Sequence, residues 1–307
     1  LGLLKPSNGK VLINGIEIEK KRVDLLNHLN FISPYIELPK KLTVKEIIKC
    51  KGSRKLSEVY THNPLEAEAC EAAGIDMIIT SELNDYERIR SAAPNTFFTV
   101  GLSYGAHLDE HSILKRSFYL MNHGADAIYC PQSTRFIKAI ADEGIPVIGH
   151  SGFIPYKSTH YGGFKAVGKT NVEAKKILSE IIKIQEAGAF AVELEIVPSK
   201  VATEIAKAVE IFLIGMGSGV DCDAQYLFSE DVLGYNKGHI PRHAKVYSDL
   251  HKDFDALQNK AVKAYSKFAN EVRDLKYPSS EHDISIASEE FDQFSDFINF
   301  IELLVSN

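Results

Sequence analysis

The 307-residue chain has a formal charge of −6, with 45% apolar and 25% charged residues. That is enough apolar material for a large core, and the charge excludes a general nucleic-acid or anionic-membrane surface. No apolar run approaches the ~20 residues of a membrane helix and no signal-peptide pattern opens the chain. The four cysteines, Cys50, Cys70, Cys130 and Cys222, lack C-x-x-C spacing. They give no zinc signature and suit a reducing cytoplasm, the expected location.

The chain opens on a turn, Pro6-Ser7-Asn8-Gly9, followed by an alternating strand over 10–13 and an Asn14-Gly15 hairpin signal. Residues 1–40 therefore read as an N-terminal β-hairpin extension. From residue 57 the rhythm changes: short apolar runs at 57–60, 76–80, 96–100, 125–129, 145–149, 190–195, 211–215 and 225–228 alternate with helical patterns. Strands apolar throughout are covered on both faces. Asn171 is expected to cap a helix carrying Val172, Ile177, Ile181 and Ile184, which Gly188 ends, and Ser199 to cap the next. Eight such units predict a closed (β/α)8 barrel over 41–283. Residues 284–307 form an amphipathic helical tail with Phe291, Phe294, Phe297, Ile298, Ile301 and Leu304 on one face, fit to dock on the barrel or to mediate oligomerisation.

Glu195 is the most informative residue. The run from Ala187 to Pro198 reads as helix end, buried strand, acid and loop, which is how parallel barrels place catalytic groups at their C-terminal mouth. The bland alternative is an acid that caps the following helix or pairs with a lysine. Glu193, two residues earlier, shares its face of the strand. His150 follows the fifth strand as a donor or proton carrier. Two glycine-rich stretches, Gly162-Gly163-Phe164-Lys165 and Gly215-Met216-Gly217-Ser218-Gly219, would let backbone approach a ligand.

Two resemblances add to this. Residues 2–15 and 31–46 resemble the stretch after the phosphate-binding loop of ABC-transporter ATPases, but the loop itself, G-x-x-x-x-G-K-[ST], is absent, so no ATPase activity is expected. From about residue 41 to 282 the chain resembles ketopantoate (3-methyl-2-oxobutanoate) hydroxymethyltransferases, barrels of the phosphoenolpyruvate/pyruvate superfamily. The likeness lies in Lys41-Leu42-Thr43-Val44-Lys45, Gly144-Ile145-Pro146-Val147-Ile148-Gly149-His150, Gly162–Lys165, Ala187–Pro198, Gly238-His239-Ile240-Pro241-Arg242 and Tyr277-Pro278.

The resemblance implies a pantothenate-pathway enzyme in which Mg2+ holds a small 2-oxo acid. A glutamate, here Glu195, moves the proton, and methylenetetrahydrofolate supplies the one-carbon unit. It implies His150 and Ser81 as substrate contacts, Glu82 as a metal ligand, and a homo-oligomer with C-terminal helices between subunits. The departures are specific. Where the family has Gly-Asp-Ser this chain has Thr80, Ser81 and Glu82. The next metal-binding aspartate aligns with Gly101, and a lysine and glutamate align with Tyr129 and Pro131. Glu82, Asp85, His62 and Glu195 are the candidates for a rebuilt metal site. The alternatives are a lyase or isomerase of the phosphoenolpyruvate mutase/isocitrate lyase type, with Ser81, Glu82 and Tyr129 around the substrate, or a metal-free non-catalytic barrel.

Overall fold

The computed structural model describes residues 10, 12–13, 16–17 and 41–305. Strands β1 (Leu12–Ile13) and β2 (Ile16–Glu17) pair antiparallel, Ile13 opposite Ile16; the expected turn residues Asn14-Gly15 lie outside the described residues. Most of the ATPase-like stretch lies outside the described residues.

Eight strands then close into a barrel: β3 (Leu56–Tyr60), β4 (Met77–Ser81), β5 (Phe97–Gly101), β6 (Ala127–Tyr129), β7 (Val147–Gly152), β8 (Ala191–Glu195), β9 (Phe212–Met216) and β10 (Ala224–Phe228). Every neighbouring pair is parallel, and β10 returns to pair with β3. All eight expected strands are present, because each was a short apolar run between helix punctuation.

Alternation along each strand builds two apolar layers. Met77, Ile79, Phe97, Ala127, Ile148, Ala191, Phe212, Ile214, Ala224 and Tyr226 fill the interior. Ile78, Phe98, Val100, Ile128, Val192, Leu194 and Leu213 pack outward against the helices. Helix Val44–Cys50 starts with a Thr43–Glu46 capping box and places the fully buried Ile47 in the interior cluster, so the barrel's lower end is filled by side chains.

The helix caps differ from expectation by one residue. Thr170, rather than Asn171, caps the helix Asn171–Glu186, because only Thr170 stands three residues before a glutamate and completes a capping box with Glu173. Pro198 precedes the helix Ser199–Ala208, and no side chain caps it. Gly188, at φ +93°, ends its helix as expected.

The chain comprises two compact units, Leu1–Ser229 and Glu230–Asn307. The barrel is complete within the first, so the expected 41–283 domain extends through both. The second holds the helices Leu250–Arg273 and Ser288–Val305. On the latter, Phe291, Phe294, Phe297, Ile298 and Ile301 are all exposed.

Candidate active site

The inward-facing positions near the strand C-termini carry chemistry in place of packing. Glu58 and Tyr60 of β3, Ser81 of β4, Tyr129 of β6, His150 of β7, Glu193 and Glu195 of β8 and Tyr226 of β10 share the parity of the interior apolar residues. None of the eight strands carries Lys or Arg.

Glu195 ends β8 and is 8% exposed. Its backbone is held on several sides. Phe153 N donates to Glu195 O at 2.8 Å, and Ile196 N donates to Met216 O at 2.8 Å. Gly152, at φ +88°, pairs with Glu195, and a β-carbon there would stand 2.4 Å from Glu195 O, so only glycine permits the approach. The Gly215–Gly219 turn, expected as a ligand cradle, also braces this strand end. Its buried Ser218 donates to Leu194 O at 2.7 Å and accepts from Val197 N at 3.1 Å. Ile196 sits at φ +49°, a strained conformation for a β-branched residue. Strain immediately after a buried acid marks a position the surrounding fold over-determines.

His150 binds the acids together. Its Nε2 lies 3.3 Å from Glu195 Oε2, and its Nδ1 lies 3.4 Å from Glu193 Oε2. Tyr129 Oη is 2.6 Å from Nδ1, and Phe153 O accepts from Nε2 at 2.9 Å. Burial alone would lower the imidazole's proton affinity. The carboxylates of Glu193 and Glu195 outweigh it and raise His150 from 6.5 to about 10, so the ring is an imidazolium at neutral pH.

The carboxyls answer in turn. Burial raises Glu193 against the lowering effect of His150. Burial and then the charge of Glu193 raise Glu58 well above the ordinary carboxylate value. Neither oxygen of Glu58 meets a hydrogen-bond partner among the described residues, so no donor offsets that rise. Burial, with Glu193 and Glu195 nearby, holds the Tyr129 phenol well above its usual value.

Ser81 lies on the inward face of β4, four strands from β8 and thus across the barrel from Glu195. Its Oγ accepts from Leu83 N at 3.2 Å. Glu82 turns the other way, as adjacent strand residues must. It is bound by Arg116 Nε at 2.7 Å, His107 Nε2 at 3.0 Å and Ser103 N at 2.7 Å. Those donors overcome burial and lower its carboxyl's pKa. Asp85 caps the helix Tyr86–Ala92 through Arg88 N, and His62 sits edge-on to Tyr60. At the rim Tyr104 and Tyr156 stack at 4.5 Å.

The sequence matches the family profile described as ketopantoate hydroxymethyltransferase over residues 83–280. It is 31% identical over 288 residues to 3-methyl-2-oxobutanoate hydroxymethyltransferase 1 of Methylibium petroleiphilum, covering 84% of this chain and 94% of that protein. The chain belongs to the ketopantoate hydroxymethyltransferase family. The 3-methyl-2-oxobutanoate hydroxymethyltransferase of Kosmotoga olearia is likewise 31% identical, over 265 residues, covering 78% of this chain and 97% of that one. Among solved structures, phosphonopyruvate hydrolase aligns with a TM-score of 0.44 at 14% identity, covering 85% of this chain and 99% of that one.

Membership in the ketopantoate hydroxymethyltransferase family raises the question of magnesium, which asks for hard oxygen donors in a near-octahedral array. Ser81 offers one hydroxyl, Gly101 offers no side chain, and Glu82, expected as a ligand, is turned to Arg116 and His107. Among the described residues no three of His, Cys, Asp or Glu stand where they would hold a metal. The residues present do not fit that ion.

Sequence reasoning had named Glu195, His150 and Ser81 and noted Glu193 as a second inward acid. It missed Glu58, which shares the inward parity of Leu56 and Tyr60 only once the register is known.

Proposed function

We propose that this chain transfers a hydroxymethyl group to 3-methyl-2-oxobutanoate, with methylenetetrahydrofolate as one-carbon donor. The observation that carries the reading is a nearly buried carboxylate, Glu195, held at the barrel mouth beside an imidazolium in a member of this family.

Glu195 takes the proton from C3 of the 2-oxo acid. The C–H pair becomes the C2–C3 double bond, and the carbonyl pair moves to the C2 oxygen. The resulting enolate carbon attacks the one-carbon unit, water supplies the hydroxyl oxygen, and tetrahydrofolate leaves. His150 holds Glu195 in place through Nε2. Ser81, across the mouth, contacts the acid's carboxylate in this reading.

Glu82 is a structural ion-pair partner in this reading, because binding a cation would cost it Arg116. The active form is read as a homo-oligomer, supported by the exposed apolar face of Ser288–Val305; sedimentation of a monomer at micromolar concentration would overturn that point.

The test is product formation. Chain, 3-methyl-2-oxobutanoate and methylenetetrahydrofolate should yield 2-dehydropantoate and tetrahydrofolate. Turnover with another 2-oxo acid but none with this one would favour the lyase or isomerase reading.

A further inference from the structure

Tyr129 ends β6 with its ring turned into the barrel, and a glycine makes room for it. Gly101 pairs with Tyr129 across β5 and β6, and a β-carbon at 101 would stand 3.2 Å from Tyr129 Cδ1. The ring and any larger side chain at 101 therefore compete for one space. These are the positions that the resemblance aligns with the family's metal-binding aspartate and lysine, and the phenol ring lies against the one where the carboxylate would stand. Tyr129 as a whole residue is half-buried, although its phenol is desolvated enough to titrate well above its usual value.

The hydrogen bonds behind Tyr129 have a direction. Phe153 O can only accept, so it fixes a hydrogen on His150 Nε2. The imidazolium's second proton then lies on Nδ1 and is donated to Tyr129 Oη, 2.6 Å away. The phenol's own O–H is then not used on His150 and is available to a second acceptor. Glu193 Oε2, 3.4 Å from Nδ1, is the negative charge that favours that second proton.

We propose that Tyr129 is a further catalytic residue. It donates a hydrogen bond to the keto oxygen of a small 2-oxo acid and stabilises the enolate oxygen where relatives would use a metal ion, polarised by the imidazolium of His150. Glu193 acts through His150 and is a positioning residue. The proposal rests on the reading of Glu195 as proton acceptor. Glu195 takes the C3 proton, the charge develops on the C2 oxygen, and the Tyr129 O–H meets it without transferring its proton. The step needs no oxidant, reductant or further reactant. A donor of this kind, held before charge develops, supplies about 10²–10³ in rate.

Deuterium exchange into C3 of 3-methyl-2-oxobutanoate tests this, read by proton NMR in excess chelator and again with Mg2+. In the unaltered chain the exchange should persist in chelator with its rate within about twofold of the magnesium sample. Tyr129→Phe should lower the exchange kcat by about 10²–10³ and leave KM within about threefold. Exchange that vanishes in chelator and returns with Mg2+ overturns the proposal while leaving the role of Glu195 standing. Full exchange in Tyr129→Phe overturns it as well. If the unaltered chain exchanges no 2-oxo acid under either condition, the reading of Glu195 fails and takes the proposal with it.

Glu193→Gln provides a second variant with a pH readout. The groups facing His150 are Glu193 and Glu195 of β8 and Tyr129 of β6; Glu58 of β3 and Tyr226 of β10 lie around Glu193. In the unaltered chain the alkaline limb of exchange should lie near pH 10. In Glu193→Gln it should move toward neutrality. An unmoved limb removes Glu193 from its positioning role and overturns that part of the proposal.

Discussion

Glu58 is the residue whose cost is easiest to isolate. Its carboxyl is 1% exposed and both oxygens are orphaned among the described residues. An unpaired buried polar group costs about 1–3 kcal/mol, whereas an apolar side chain of similar volume fits the surrounding interior. Glu58→Leu should therefore raise the unfolding free energy by about 1–3 kcal/mol in urea titration. A loss of stability would mean that the carboxyl has a partner the fold depends on. The same residue shows where sequence reading stopped. Glu195 was legible because it closes an apolar run before a proline. Glu58 sits mid-strand in a run too short to reveal its inward parity without the register. The partners of Glu82 were not legible, because Arg116 and His107 come from distant sequence and no local spacing announces them.

At the scale of elements, the end of β8 is the most constrained segment of the site. Ser218 supplies two bonds to it, to Leu194 O and from Val197 N. Ser218→Ala would remove both bonds and leave Val197 N as a buried donor without this acceptor, costing about 1–3 kcal/mol. It would also let Glu195 drift, and a misplacement of ~1 Å costs up to ~10²-fold in rate. The expected result is a fall in kcat of at least about tenfold with KM within about threefold. Unchanged kcat together with the lost stability would show that the brace serves folding alone. The glycine-rich turn was legible in the sequence as a tight loop, but not the direction of its serine. Nothing in Gly-Met-Gly-Ser-Gly says that the serine faces the neighbouring strand and not a ligand. The strands were legible throughout because the apolar runs and helix signals alternate with little ambiguity.

For the whole molecule, a barrel interior holding three carboxyls, one imidazole and no lysine or arginine makes stability depend on pH. His150 binds its proton more tightly when folded, at about 10 against 6.5. Its contribution is complete below about pH 6.5 and is lost as pH rises toward 10, with a slope of about 1.4 kcal/mol per pH unit. The raised carboxyls of Glu58 and Glu193 act in the same direction, since the folded chain retains protons that the unfolded chain releases above its ordinary carboxylate value of 4.5. Thermal melts should therefore show Tm falling steadily from pH 7 to pH 10, and a flat or rising Tm would contradict the charge assignment of the cluster. Barrel closure and family membership could be reached from the chain alone; this internal charge balance could not, because it depends on which residues share the interior.

The proposed role of Glu195 as proton carrier at the barrel mouth is read out by hydrogen-deuterium exchange at C3 of 3-methyl-2-oxobutanoate. Glu195→Gln keeps the shape of the side chain and removes its basicity. The variant should melt within a few degrees of the unaltered chain while exchange falls by at least about 10²–10⁴. Exchange at the full rate in a folded Glu195→Gln protein would contradict it.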